Sequence, residues 1–277
     1  MPYVAVAVFG LAFGSFLNVC IFRLPRQESI ITPRSHCPRC RRPIRWYDNV
    51  PVASYLLLRG RCRDCRERIS FLYPVVEILT AGLLVAAFVQ YGLSPEFIKT
   101  ALLGALLLIL IFTDLTERRI PHAVTFFGMV AGVLLSLVVP VDNRPFEWTV
   151  RHLGFFPRGT FSSLLGAVVG ALVGGGLFYA VGEAFYTLGG RQKEYLGFGD
   201  VMLMLMVGTF LGVPLTLLTI LLGSVAGTLL AVPLEILSSR FRHTQWPYGS
   251  FLGAAAIYAS LGGKVLLDWY LGWAGLA

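Results

Sequence analysis

Thr100-Ala101-Leu102-Leu103-Gly104-Ala105-Leu106-Leu107-Leu108-Ile109-Leu110-Ile111-Phe112-Thr113-Asp114-Leu115-Thr116-Glu117-Arg118-Arg119 is the stretch that sets the class of this chain. No charge occurs between Thr100 and Thr113, and the run then closes on an acid and two arginines. A helix needs about 20 mostly apolar residues to cross a hydrocarbon core. The pattern recurs along the whole chain. We expect eight spans, at roughly 2–23, 74–92, 96–113, 121–140, 160–188, 201–212, 215–237 and 249–271. The first lacks a basic leading region and an Ala-x-Ala site, which favours a span over a signal peptide. The short sixth span stops near Gly212-Val213-Pro214, where proline ends or kinks a helix, so the sixth and seventh could form a tight hairpin. Gly166, Gly170, Gly174, Gly175 and Gly176 give the fifth a surface that lets helices approach closely in lipid. No internal repeat is evident.

Composition agrees. Of the 277 residues, 56% are hydrophobic and 14% charged, whereas a soluble domain carries about 45–50% and about 25%. The fold class is therefore an all-α, polytopic integral membrane protein with one sizeable polar loop. A net charge of +8 could suggest a nucleic-acid partner, but its placement argues otherwise. Segments 23–73, 114–120, 189–200 and 238–248 hold 18 of the 23 basic residues and alternate with spans so as to share one side. Positive loops mark the cytoplasmic side. With an even number of spans, both termini then lie outside. The partner is the lipid bilayer and no nucleic acid.

The loop at 25–73 contains Cys37-Pro38-Arg39-Cys40 and Cys62-Arg63-Asp64-Cys65, with 21 residues between the pairs. Each pair is a knuckle that aims two sulfurs at one point, and two knuckles complete a tetrahedral zinc site. Two disulfides are the alternative, disfavoured in a reducing compartment. Four thiolates leave no open position for a water, so the zinc would be structural. Cys20 reads as a small core residue.

Asp114 and Asp200 are expected at one depth, the cytoplasmic membrane boundary. Each has a plain role open to it: Asp114 could pair with Arg118 one turn on, and Asp200 could cap the sixth helix. As a pair they offer more. Two carboxylates in a low-dielectric site share a proton and can activate water as base and acid. Gly197 and Gly199 remove side chains beside Asp200, which lets a substrate backbone come close. Pro121 suits the first turn of the fourth helix. Glu77, Glu183 and Glu235 lie in or beside spans and read as interhelical hydrogen-bonding groups.

Five blocks carry a resemblance: Gly14-Ser15-Phe16-Leu17-Asn18-Val19 with Arg23-Leu24-Pro25; the two knuckles with Asn49-Val50-Pro51-Val52 and Leu58-Arg59-Gly60-Arg61; Tyr73-Pro74-x-x-Glu77; Asp114-Leu115 with Ile120-Pro121; and Gly197-x-Gly199-Asp200-Val201. In order and spacing, over nearly the whole chain, these resemble the type IV prepilin peptidases, bifunctional leader peptidase/N-methyltransferases of bacterial pilus and type II secretion systems. The resemblance implies a GxGD aspartyl protease of the bacterial inner membrane, with Asp114 and Asp200 catalytic on the cytoplasmic face. Its substrates would be prepilins or pseudopilins, cut after a glycine that follows a basic leader. Methylation of the new N-terminus would use S-adenosylmethionine and be associated with the zinc-loop region. Asn18, Gly60 and Glu77 are candidates for the methyl-transfer site from the matching blocks. The implied domains are 1–24, a first span; 25–73, the zinc loop; and 74–277, the membrane peptidase. Three positions depart from the family's usual residues: Met202 for lysine, His122 for asparagine, and Ser250 for the last proline of a Pro-Phe-Gly-Pro block. Other readings are a peptidase without methyl transfer, a carboxylate-based transporter, which would more often place its acids at mid-bilayer and carry a repeat, and a zinc-loop scaffold without catalysis.

Overall fold

The computed structural model describes residues 1–141, 160–188, 197–237 and 246–274. Arg191, Lys193, Arg240 and Arg242, which the charge argument used, lie outside the described residues. Among the described residues the chain is helical, with no β-strand beyond two isolated bridges. It divides into two compact units, Met1–Phe97 and Ile98–Ala277.

In the first unit, α1 (Pro2–Arg23) pairs with α3 (Leu72–Tyr91), and the polar loop between them carries the short helix α2 (Ala53–Leu57). Pro2 occupies the first turn of α1, where its missing N–H costs nothing. The pair is held close by two glycines. A Cβ on Gly10 would lie 2.6 Å from Ala81 Cα, and one on Gly14 would lie 2.6 Å from Glu77 Cα. Helix α3 ends at Gly92, whose φ of 62° turns the chain while its N–H still reaches the Phe88 carbonyl.

The second unit contains α4 (Pro95–Glu117), α5 (His122–Ser136), α6 (Thr160–Leu188), α7 (Phe198–Leu237) and α8 (Tyr248–Trp273). Ser94 Oγ caps the start of α4 by accepting the Phe97 N–H at 3.3 Å. Among the described residues, six helices are long and apolar enough to cross a membrane: α1, α3, α4, α6, α7 and α8, with α1 counted on to Arg26 and α6 from Phe161 to Ala184. Helix α5 is apolar but shorter, below the 121–140 expected for it. The stretch expected as the sixth and seventh spans is one helical element, α7, broken at Gly212 (φ 74°, ψ −177°). The cause of the break is the glycine's left-handed φ, with Pro214 just beyond it.

Gly174 of α6 shows how the two arms of α7 run. A Cβ there would lie 2.8 Å from both Met204 O and Thr216 Cγ2. In a straight helix those two residues would be about 18 Å apart along the axis, so the arms fold back beside each other against α6. Gly170 and Gly208 make the tightest contact. A Cβ on Gly170 would lie 2.6 Å from the Gly208 carbonyl oxygen, and one on Gly208 would overlap the backbone of Gly170. Without lipid-driven burial, such close backbone packing is a main source of helix association in a bilayer. Leu221, Leu229 and Ile236 of α7 and Val265 of α8 remain exposed, as a lipid-facing surface requires.

The glycines of α6 and α7 are thus unequal, and substitution separates them. Gly208→Leu is expected to destabilise the protein by about 1–3 kcal/mol or more, read as a lower unfolding midpoint in detergent. Gly176→Leu, with no atom within 4 Å of its Cβ position, is expected to leave the midpoint unchanged.

Candidate active site and metal centre

Asp114 lies one turn before the end of α4, is 8% exposed, and points at the start of α8. Its Oδ2 accepts two hydrogen bonds from Ser250, one from the N–H at 2.8 Å and one from the hydroxyl at 2.9 Å. Asp200 is the third residue of α7 and half-buried. The two carboxylates meet at Gly249. A Cβ there would lie 3.0 Å from Asp200 Oδ1 and 3.2 Å from Asp114 Oδ2. The two oxygens are therefore no more than about twice a hydrogen-bond length apart, close enough for one water to touch both.

Sequence spacing alone does not bring these groups together. Helix α4 supplies Asp114, the first turn of α7 supplies Asp200, and the first turn of α8 supplies the gap between them. Ile120 completes the wall. A Cβ on Gly199 would lie 2.9 Å from Ile120 Cβ, and the Ile120 Cδ1 also stands 3.0 Å from the Gly249 position. A side chain at Gly199 would therefore press against Ile120. Gly197 is exposed and its Cβ position has only ordinary contacts, the nearest at 3.8 Å to Asp200 Oδ2, so the open side of the site lies there. Pro121 is the N-cap residue of α5, one position ahead of the first turn expected for it. Arg118 meets Asp114 through its backbone, its N–H donating to the Asp114 carbonyl at 3.0 Å. Exposed His122 and Phe198 pair at 5.9 Å beside this mouth. Gly249, Ser250 and Ile120 were not singled out as site residues by the sequence. The only hint was the block Pro247-Tyr248-Gly249-Ser250, noted as a departure.

The four loop cysteines come together in the first unit. The sulfurs of Cys37, Cys40, Cys62 and Cys65 all lie within 4.8 Å of one another, and Cys37 Sγ is 3.8 Å from Cys65 Sγ. Zinc–sulfur bonds of about 2.3 Å in a tetrahedron require sulfurs about 3.8 Å apart, so the set fits zinc. All four are free thiols, which removes the disulfide alternative. The two knuckles also share one backbone form. Cys37 N–H bonds Arg42 O and Arg41 N–H bonds Cys37 O; in step, Cys62 N–H bonds Glu67 O and Arg66 N–H bonds Cys62 O. Arg41 and Arg66 both take left-handed φ, 57° and 61°. The two knuckles expected from the Cys-x-x-Cys pairs thus share one backbone design. Ion pairs tie the knuckles together, Arg42 to Asp64 at 3.1 Å and Arg39 to Glu67 at 4.0 Å. Arg63 grips Asp48 through two nitrogens at 2.6 and 2.8 Å, and that guanidinium holds the Asp48 carboxyl below its ordinary range.

Comparison with known proteins accounts for both centres. Residues 8–91 match the Bacterial Peptidase A24 N-terminal domain, and residues 101–232 match the Type IV leader peptidase family. A protein of Aeromonas hydrophila named "Prepilin leader peptidase/N-methyltransferase" is 33% identical over 96% of this chain and 92% of its own length. The chain belongs to the type IV leader peptidase family. A Bacillus subtilis (strain 168) protein of the same name is 32% identical over 95% of this chain and 96% of its own. One from Myxococcus xanthus (strain DK1622) is 39% identical over 76% of this chain, an alignment that spans 57% of the relative. No solved structure matches. This is an aspartic peptidase family.

Within this leader peptidase, the residues considered for methyl transfer are engaged by the chain's own backbone. Asn18 Nδ2 donates to the Tyr73 carbonyl at 3.0 Å. Glu77, 7% exposed, accepts the Val52 N–H at 2.8 Å, at a residue with φ 57°. Gly60 (φ 64°) donates its N–H to the Tyr55 carbonyl and accepts the Ile69 N–H, both at 2.8 Å, and a Cβ there would lie 2.9 Å from Tyr55 Oη. Gly60 therefore opens the second knuckle, Asn18 ties α1 to the first turn of α3, and Glu77 fastens the loop to α3. Glu235, read as a hydrogen-bonding group, accepts from Trp246 Nε1 at 2.7 Å.

Purified, reduced protein is expected to hold about one zinc per chain. Cys62→Ser should abolish retention, and Cys20→Ser, outside the cluster, should not change it. Gly60→Ala should weaken zinc affinity on the order of tenfold, because it strains the turn that aims Cys62. Metal analysis with a competing chelator reads all three.

Proposed function

We propose that this chain is an inner-membrane endopeptidase that removes the basic leader from prepilin or pseudopilin substrates, with Asp114 and Asp200 as its catalytic pair. The convergence of the two carboxylates on the Gly249 gap carries this reading. Two carboxylates so close in a poorly solvated site cannot both ionise easily, so they hold one proton between them. The charged member takes a proton from the water as its oxygen bonds to the scissile carbon. The protonated member gives its proton to the carbonyl oxygen. When the C–N bond breaks, the leaving amine receives the proton that the base took, and the acid regains its own. Zinc held by the four cysteines would have a closed coordination shell and shape the loop without entering this reaction.

The basic loops support an active site and zinc loop on the cytoplasmic side, with both termini outside. A transporter would place its acids at mid-span, whereas Asp114 and Asp200 sit one turn from helix ends. Methylation of the new N-terminus with S-adenosylmethionine rests on family membership alone. Asn18, Gly60 and Glu77 are the candidates for that step from the matching blocks, and each is also hydrogen-bonded to the chain's own backbone.

In membranes, Asp114→Asn and Asp200→Asn should each lower prepilin cleavage on the order of a thousandfold or more while leaving insertion intact. Near-native cleavage by either would remove the pair. On the substrate, Gly→Val before the scissile bond should block cleavage, because a helical peptide bond must unwind to reach two carboxylates and glycine unwinds most readily. Neutralising leader charges should change the rate only modestly. The opposite ranking would show that leader electrostatics controls recognition.

A further inference from the structure

Ser250 offers Asp114 two donors of different kinds. It is 7% exposed in the first turn of α8. Its N–H, fixed by the helix, reaches Asp114 Oδ2 at 2.8 Å. Its hydroxyl reaches the same oxygen at 2.9 Å and also stands 3.1 Å from the Ile111 carbonyl, one turn earlier on α4. A serine hydroxyl has one proton and rotates to suit its acceptors, so it serves one of these oxygens at a time. Toward a charged carboxylate the bond to Asp114 is the stronger. Toward a protonated carboxyl, the Ile111 carbonyl is the better acceptor.

We propose that Ser250 is a positioning residue that holds Asp114 as the base of the pair, its hydroxyl turning to the Ile111 carbonyl whenever Asp114 carries a proton. This inference rests on the reading of Asp114 and Asp200 as the catalytic dyad. The water's proton passes to Asp114 and then to the leaving amine, while the proton on Asp200 passes to the carbonyl oxygen and back. Ser250 keeps its own proton throughout, and no bond to it forms or breaks. The rotating hydroxyl gives Asp114 a partner in its charged state without trapping it there. The fixed N–H keeps the carboxyl aimed at the Gly249 gap in both states. A proline at this position, common in the family that the chain resembles, would carry neither donor, so the arrangement is a property of this chain.

The test is steady-state cleavage of a prepilin substrate, with kcat expressed per enzyme that elutes as native monodisperse protein. Ser250→Ala is expected to lower kcat about tenfold, the scale of one lost hydrogen bond to a charged group, with KM unchanged. Ser250→Thr, which keeps the hydroxyl, should retain the native kcat. Ser250→Cys, a weaker donor of similar size, should fall between Ala and native and decides the matter if Ala does not fold. Ser250→Pro should be at least as impaired as Ala. The inference is overturned if Ala, Cys or Pro matches native kcat, or if Thr is as slow as Ala. Asp114→Asn is measured alongside. If it is inactive while Ser250→Ala is native, only this inference falls; if it is active, the dyad reading falls and takes this one with it.

Discussion

The missing side chain at Gly249 is the constraint on which the site depends. Asp114 comes from the end of one helix and Asp200 from the start of another, and both carboxylates lie within 3.2 Å of the point where a Cβ would stand. Any other residue would press a Cβ against both carboxylates. The same glycine opens α8, so the first turn of that helix delivers two donors to Asp114 through Ser250. A buried acid that would otherwise be costly next to lipid is thereby given partners, and its direction is set by a helix start, among the stiffest elements available.

The rest of the second unit follows from the same use of small residues. Gly170 and Gly174 of α6 lie against the backbone of the first arm of α7, Gly174 also meets the Thr216 side chain of the second, and the arms can fold back on each other because Gly212 adopts φ 74°. Gly128 and Gly132 of α5 receive Met206 and Phe210 from the first arm. The arm that begins with Asp200 is therefore packed on two sides. Its first turn is fixed in place, as a catalytic group requires, because a loss of about 1 Å in placement is enough to slow a reaction strongly.

Much of this was legible from the chain. Zinc-binding thiolates and paired carboxylates belong to few residue types, and their spacings are short or their motifs distinctive, so Cys37, Cys40, Cys62, Cys65, Asp114 and Asp200 stood out. Apolar length likewise revealed the helices. What was not legible depends on contacts distant in sequence. Ser250 and Asp114 are 136 residues apart, and a serine at a helix start has many ordinary reasons to be there. The contact of Gly199 with Ile120 likewise joins residues far apart in the chain. The two Cys-x-x-Cys knuckles were legible, whereas their shared backbone bonds and left-handed turns at Arg41 and Arg66 were not. Gly60, Asn18 and Glu77 sat in matching blocks, and the backbone hydrogen bonds they make were not visible there.

The central claim is that Asp114 and Asp200 act as one unit on one water. The most direct measurement is a double-substitution cycle, comparing residual cleavage by Asp114→Asn, Asp200→Asn and the doubly substituted enzyme in a single-turnover assay with excess enzyme. Residues that act as a unit are strongly non-additive. The account expects the double variant to be no slower than the slower single one. Losses that multiply, as they would for two carboxylates working independently, would contradict it.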